Sequence, residues 1–274
     1  MAEVSETIDV ENIGRFNKIS IGGSSISYIT RLINGEEIKF VSVLMAETLL
    51  LGRYLHYFNP DIFKCISVKG YYITDSEAKE LNNINVQCSN MFGNHEFIAG
   101  KDCIVRLEDV KELFTFLILF YNKIESNIND HEIQFDKQFG FIKFESHFIP
   151  YFTKENQKYL PIFFFENLTD DLLLGGMELK NWDLPYIKLC CKIIGIYDDI
   201  FNIDSCTLIS LNDLKKYFPS EPVFEEFWPE DVAFDSRIIN YSDHPYQPNF
   251  WIADYLGSSI MPQESLTANN ANQV

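Results

Sequence analysis

Five histidines and six cysteines are the side chains here best able to ligate a metal or carry a nucleophile. Their spacing supports neither role. His56, His95, His131, His147 and His244 fall into no His-x-x-Glu-His or Cys-x-x-Cys arrangement. Cys88, His95 and Cys103 offer three ligands along one loop, but a structural zinc site takes four. The simpler reading is packed thiols with no metal and no cofactor. Cys190 and Cys191 are neighbours on a predicted helix, where adjacent side chains point apart, so a redox pair is disfavoured. A serine or cysteine enzyme would need a base and an orienting acid around its nucleophile. No Gly-x-Ser-x-Gly elbow is present. Gly22-Gly23-Ser24-Ser25 shares only composition with a phosphate loop. It lacks Gly-Lys-Ser/Thr and a helix directly after it, so a hairpin turn is expected. Asp170-Asp171 and Asp198-Asp199 suit helix caps and turns. No catalytic residue is assigned.

Two sets of residues could bind rather than react. Lys188 and Lys192 lie one helical turn apart, and Lys215 and Lys216 sit in the next helix. Four lysines could contact phosphates along a duplex. None is an arginine able to grip guanine at two points, and a solvated helix face is the simpler alternative. The second set is acidic and aromatic. Phe224, Phe227 and Trp228 are interleaved with carboxylates from Glu221 to Asp243, and Trp251 and Tyr255 follow four residues apart. Such aromatics could anchor in a partner's apolar groove while the charges steer toward a basic rim. Alternatively, Phe224, Phe227 and Trp228 fold back to seal the core before them.

The elements that would position these groups follow from pattern. Hydrophobic residues at 46% of 274 can bury a substantial core, and a net charge of -18 disfavours general attraction to polyanions or acidic membranes. Met1–Glu11 lacks the features of a secretory signal. The longest apolar run, Leu113–Tyr121, is well short of the roughly 20 residues of a membrane span. Cysteines inside apolar runs read as reduced thiols of the cytoplasm or nucleus. Residues 1–18 read as a lead-in, 19–125 as a first α/β module and 126–138 as a polar linker. Residues 139–219 form a second module, and 220–274 an acidic-aromatic arm with a disordered tail. Asn34-Gly35 predicts a tight hairpin turn. Thr74-Asp-Ser-Glu77 predicts a capping box. Glu108 or Asp109 is expected to cap a helix with inner face Val110, Leu113, Phe114, Leu117, Ile118 and Tyr121. Pro185 suits the first turn of a helix whose inner face is Leu184, Ile187, Cys191 and Ile194.

One piece of grammar occurs twice. Cys103-Ile-Val-Arg-Leu-Glu-Asp-Val and Cys206-Thr-Leu-Ile-Ser-Leu-Asn-Asp-Leu each turn from strand to helix, and Leu, Asp, Lys and Phe coincide when 107–114 is set over 211–218. These joints resemble that of the Ski/Sno/Dachshund homology domain, a mixed α/β module related to winged helices. Glu37–Leu51 is similar to its earlier strand and helix. Leu160-Pro161-Ile-Phe loosely echoes its Leu-Pro motif, which the first module lacks. The resemblance implies an α+β protein with two tandem winged-helix-like modules and work as a transcriptional or chromatin cofactor. It implies docking to other proteins, sometimes contact with DNA, and no enzymatic activity. The leading expectation is a non-enzymatic adaptor. A DNA-binding regulator using the lysines at 188–216 and an enzyme of another family are the alternatives.

Overall fold

The computed structural model describes residues 8–9, 17–66, 68–129, 138–144, 146–165, 175–196, 199–218, 224–229, 236–241 and 247–253. They divide into two compact units. One holds the described residues up to Leu50 and Lys69–Val110, the other Leu51–Val68 and Lys111–Ala253. Each has its own antiparallel sheet with helices, so the class is α+β. The division does not follow the 19–125 and 139–219 boundaries. Two contacts explain why. Phe116 and Phe120 stack with Tyr186, their centroids 5.0 and 5.9 Å away, which commits the later helix turns to the second unit. The backbone of Asn59 donates to Ile238 O at 2.8 Å, which commits the segment around it likewise.

In the first unit the strands are β1 (Ile8–Asp9), β2 (Asn17–Ile21), β3 (Ser24–Ile33) and β4 (Glu36–Ser42). Gly22-Gly23 and Asn34-Gly35 make two-residue turns with positive φ at both positions (55° and 82°, 53° and 83°). Such turns match the twist of antiparallel strands, and glycine and asparagine reach that region at little cost. Helical turns α1 (Val43–Ala46) and α2 (Gly52–Tyr57) flank a π-helical stretch, Glu47–Leu51, with α2 and the turn after it belonging to the second unit. The helical stretch from Val43 to Tyr57 is thus not one regular α-helix. Asn59 ends it and caps a 3-10 turn, Pro60–Cys65, by accepting from the Asp61 amide at 2.9 Å. Next come β5 (Val68–Tyr72), α3 (Asp75–Gln87) and β6 (Cys103–Arg106). Strand order is β1-β3-β4-β6-β5, with β2 also on β3. Ile26, Ile29, Phe40, Val41, Ile104 and Val105 are buried in it.

The capping box forms at α3. Thr74 Oγ accepts from the Glu77 amide and the Glu77 carboxylate accepts from the Thr74 amide at 2.8 Å. Helix α4 (Leu107–Asn129) begins one residue before Glu108, so Glu108 and Asp109 lie in its first turn rather than at the cap. Its buried face is Leu107, Val110, Leu113, Phe116, Leu117, Phe120, Tyr121 and Ile124, while Phe114 and Ile118 are only half-buried. Residues 126–129 of the expected linker continue this helix, and 130–137 lie outside the described residues.

The second unit adds β7 (Phe139–Phe144), β8 (His147–Lys154), β9 (Gln157–Pro161), β10 (Met177–Lys180), α5 (Leu184–Ile193), β11 (Ser205–Ser210), α6 (Leu211–Lys215) and β12 (Glu225–Phe227). Its sheet runs β10-β11-β9-β8-β7-β12, every pair antiparallel. Helix α5 packs on β7 and β8, with Pro185 in its first turn as expected. Asp170-Asp171, read as cap or turn residues, lie outside the described residues.

Candidate functional site

The site is built on α5. The sequence pattern assigns it one apolar face, yet all ten of its residues are buried, Lys188 and Lys192 among them. A helix between a sheet and an irregular layer has no solvent side, so its lysines must find polar partners inside. Lys188 Nζ donates to Phe201 O at 3.1 Å. Burial holds its ammonium below its ordinary pKa. Lys192 Nζ stands 4.0 Å from Asp61 Oδ2 and 5.7 Å from the centroid of Phe201. Lys64 holds the other Asp61 oxygen at 2.7 Å, and that hydrogen bond keeps the Asp61 carboxyl below the usual range.

A second segment completes this place. The chain at 236–240 lies antiparallel along 57–59. Asn59 Nδ2 donates to Ser236 O at 2.6 Å, the Asn240 amide donates to Tyr57 O at 2.8 Å, and Phe58 bridges to Ile239. This seats Arg237 beside Lys64 and Lys192, around a cleft of about 540 Å³ also lined by Asn59, Asp61, Phe201, Asn202 and Ser236. The sequence marks Lys192 alone of these. Neither Asn59-Pro60-Asp61 nor Ser236-Arg237 carries a motif, since only long-range pairing brings them together.

The four lysines read as possible phosphate contacts along a duplex have different surroundings. Lys188 and Lys192 are core residues. Lys215 lies over Phe224 at 5.8 Å, and Lys216 pairs with Asp213 at 2.6 Å. Burial removes the first two from any duplex backbone, which corrects the expectation for that pair. The expected partner anchors are likewise engaged within the chain. Glu225–Phe227 pairs with β7, Phe224 stacks on Phe144 at 5.3 Å, and Phe227 stacks on Phe148 at 4.4 Å. Trp228 sits 5.4 Å from Phe141, with the Lys123 ammonium 4.9 Å from its ring. Trp251 is 1% exposed. Strand pairing and ring burial together hold the early arm on the second unit. Tyr255 lies outside the described residues.

The first unit has a different feature, which the sequence shows only as a loop with Gly93, Asn94 and Gly100. Residues 88–102 are tied down by side chains that replace missing backbone partners. Asn82 Nδ2 donates to Phe97 O at 3.0 Å while its Oδ1 accepts from the Phe97 amide at 2.8 Å. Asn85 donates to Gly93 O and His95 O and accepts from the Phe92 amide at 3.0 Å. Asp102 accepts from the Ile98 amide at 2.7 Å and meets His95 Nε2 at 3.0 Å. On and beside this braced loop Val86, Met91 and Ile98 are 69%, 49% and 45% exposed. Doubled asparagines ahead of a glycine-containing loop were the available signal, since asparagine side chains readily stand in for backbone groups.

Cys88, His95 and Cys103 do not assemble, for His95 pairs with Asp102 and Cys103 is buried in β6. Among the described residues no three His, Cys, Asp or Glu side chains are grouped to hold a metal ion. All six thiols are free. Burial raises Cys190 and Cys191 and pushes Cys65 and Cys103 up to about 12, far from the reactive thiolate range. No helix among the described residues is long and apolar enough to cross a membrane. Comparison with known families, curated proteins and solved structures gives no match.

Proposed function

We propose that the chain is a non-enzymatic intracellular adaptor, nuclear by preference, that holds a partner protein on the braced loop of its first unit. The carrying observation is the combination of order and exposure at 86–98. Apolar side chains exposed on a flexible loop lose entropy on binding, and bracing by Asn82, Asn85 and Asp102 removes much of that cost in advance. The partner this suits has an apolar pocket with a basic rim, because the chain carries a net charge of -18. The place in transcription or chromatin work, and the description of both units as winged-helix-like modules, rest on the resemblance of the two strand-to-helix joints to the Ski/Sno/Dachshund domain.

The test is cross-linked capture from nuclear extract, comparing the full chain with Met91→Asp/Ile98→Asp. Both positions are exposed, so the pair leaves the fold intact. Loss of the same captured proteins in this variant, and weaker capture by Asn85→Ala, is the expected result. Capture unaltered by either variant would refute the loop as the docking surface.

A further inference from the structure

We propose that Met91 is a site of reversible oxidation, and that its sulfoxide releases the partner from the braced loop of the first unit. The proposal rests on the reading of 86–98 as the docking surface and names how that surface is regulated. Its first support is where sulfur lies. Among the described residues Met45 is 1% exposed, and five of the six thiols are buried. Cys88 and Met177 are half-buried, whereas Met91 is 49% exposed. A thioether needs no ionisation before it is oxidised, so reach decides which methionine reacts, and Met91 offers the most.

The second support is how Met91 is presented. After α3 and its capping residue Cys88 come two residues with positive φ, Ser89 at 60° and Asn90 at 54°. The Ser89 amide donates to Val86 O at 3.1 Å and the Asn90 amide to Asn85 O at 2.9 Å, which fixes the turn directly before Met91. The Gly93 amide donates to Asn90 O at 2.8 Å and closes the chain on its other side. The bracing bonds run from Asn82, Asn85 and Asp102 to backbone groups at 92–98, with the Met91 side chain outside them. Oxidising Met91 therefore changes the face of the loop and leaves its frame standing.

The third support is the chemistry of the change. The oxidant is a hydroperoxide, hydrogen peroxide in its simplest form. A lone pair of the Met91 sulfur attacks one peroxide oxygen, the O–O bond breaks, and proton transfer lets the other oxygen leave as water. The thioether loses two electrons and the peroxide gains them. The product keeps the length of the side chain but carries a polar S=O group. Seated in an apolar pocket with no donor, that oxygen forfeits its water, and binding should weaken about tenfold. Methionine sulfoxide reductases return the thioether, so the change is a switch.

The test uses the full chain carrying Cys88→Ser, which removes the half-buried thiol of the same loop. The chain is treated with graded hydrogen peroxide and desalted, and each methionine is followed by peptide mass spectrometry. It then enters the cross-linked capture described above, every chain being compared with its own untreated sample. Met91 should oxidise faster than Met45 and Met177, with circular dichroism unchanged. Capture should fall about tenfold as Met91 sulfoxide accumulates, and methionine sulfoxide reductase with dithiothreitol should restore it. The Met91→Leu chain should show no such fall under the same treatment. Oxidation of Met91 no faster than that of Met177 would overturn the switch. So would full conversion of Met91 with undiminished capture of the proteins that the Met91→Asp/Ile98→Asp chain loses, or an equal fall in Met91→Leu. Capture retained by Met91→Asp/Ile98→Asp refutes the docking surface itself and the switch with it, so the two failures are told apart.

Discussion

The two units bury cations in opposite ways. In the first, Arg31 is covered by sheet and helix and meets Glu77 with two nitrogens, at 2.6 and 2.7 Å. A third bond runs from Arg31 to Tyr72 O at 2.8 Å, and the guanidinium lies 5.2 Å from the centroid of Phe40. Glu77 also closes the capping box of α3, so one carboxylate fixes the start of a helix and neutralises a charge in the sheet. In the second unit these duties are separated. Ser210 caps α6 with Asp213, whose carboxylate pairs with exposed Lys216, while Lys188 and Lys192 are buried on another helix. A bidentate arginine and a dedicated carboxylate form a closed unit with nothing left for a ligand. In the second unit Lys188 rests instead on the carbonyl of Phe201, and Lys192 lies 4.0 Å from an Asp61 carboxylate that Lys64 also holds.

Breaking the closed pair should have the largest effect. Glu77→Gln keeps an acceptor for the Thr74 amide and removes the charge opposite Arg31, which stays buried. A loss of about 3 kcal/mol in urea unfolding is expected, the cost of stranding one partner of a buried pair. A loss under ~1 kcal/mol would mean that Tyr72 O and the Phe40 ring suffice for the guanidinium. Ser210→Ala comes next. In the second unit the cap carries no buried charge, so what is at stake is the pair of bonds at Ser210 Oγ, accepted from the Asp213 amide at 3.0 Å and donated to the Asp213 carboxylate at 2.6 Å. The expected loss is about 1 kcal/mol, the usual worth of such a cap. A loss as large as that of Glu77→Gln would dissolve the contrast.

How far the sequence revealed this depends on range. Local chemistry was legible: Asn34-Gly35 makes its turn, Thr74 to Glu77 makes its box, and both strand-to-helix joints lie where the repeated pattern put them. Yet the joints open different helices, α4 with 23 residues and α6 with five. What periodicity could not show was what lies on each side of an element. Lys188 and Lys192 sit at the spacing of a solvated face, and nothing local says that segments from 59–64 and 199–202 cover it. The aromatic arm was undecided for the same reason, because strand addition to β7 depends on a partner some 80 positions earlier. The sequence pattern places Glu77 in a capping box and gives Arg31 no partner. Their pairing across 46 residues is invisible to any short window.

The smallest effect on stability should come from Lys188→Met, and its sign is what sharpens the comparison. Methionine matches the lysine stem in length and removes a buried charge whose hydrogen bond goes to a carbonyl, with Asp204 a weaker attraction. The loss of its bond to Phe201 O offsets the desolvation saved, so stability near neutral pH should stay within ~1 kcal/mol of wild type. The pH dependence distinguishes the two chains. Burial lowers the Lys188 pKa from 10.5, so between that lowered value and 10.5 the unfolded chain holds a proton that the folded chain has released. Stability therefore rises with pH across this window in wild type. Cys65 and Tyr57, both pushed up to about 12 by burial, act the other way: their contribution is complete below their ordinary values of 9.0 and 10.0 and is lost above them. Methionine leaves Tyr57 in place, while Cys65 is coupled to Lys188, so subtracting the stability of Lys188→Met from that of wild type reports the lysine together with its effect on that thiol. The difference should climb as pH approaches 10.5 and be flat near neutrality, as read by urea unfolding at several pH values. A difference that stays flat throughout would mean that the ammonium is as well satisfied as the guanidinium of Arg31, and the two units would then bury charge alike.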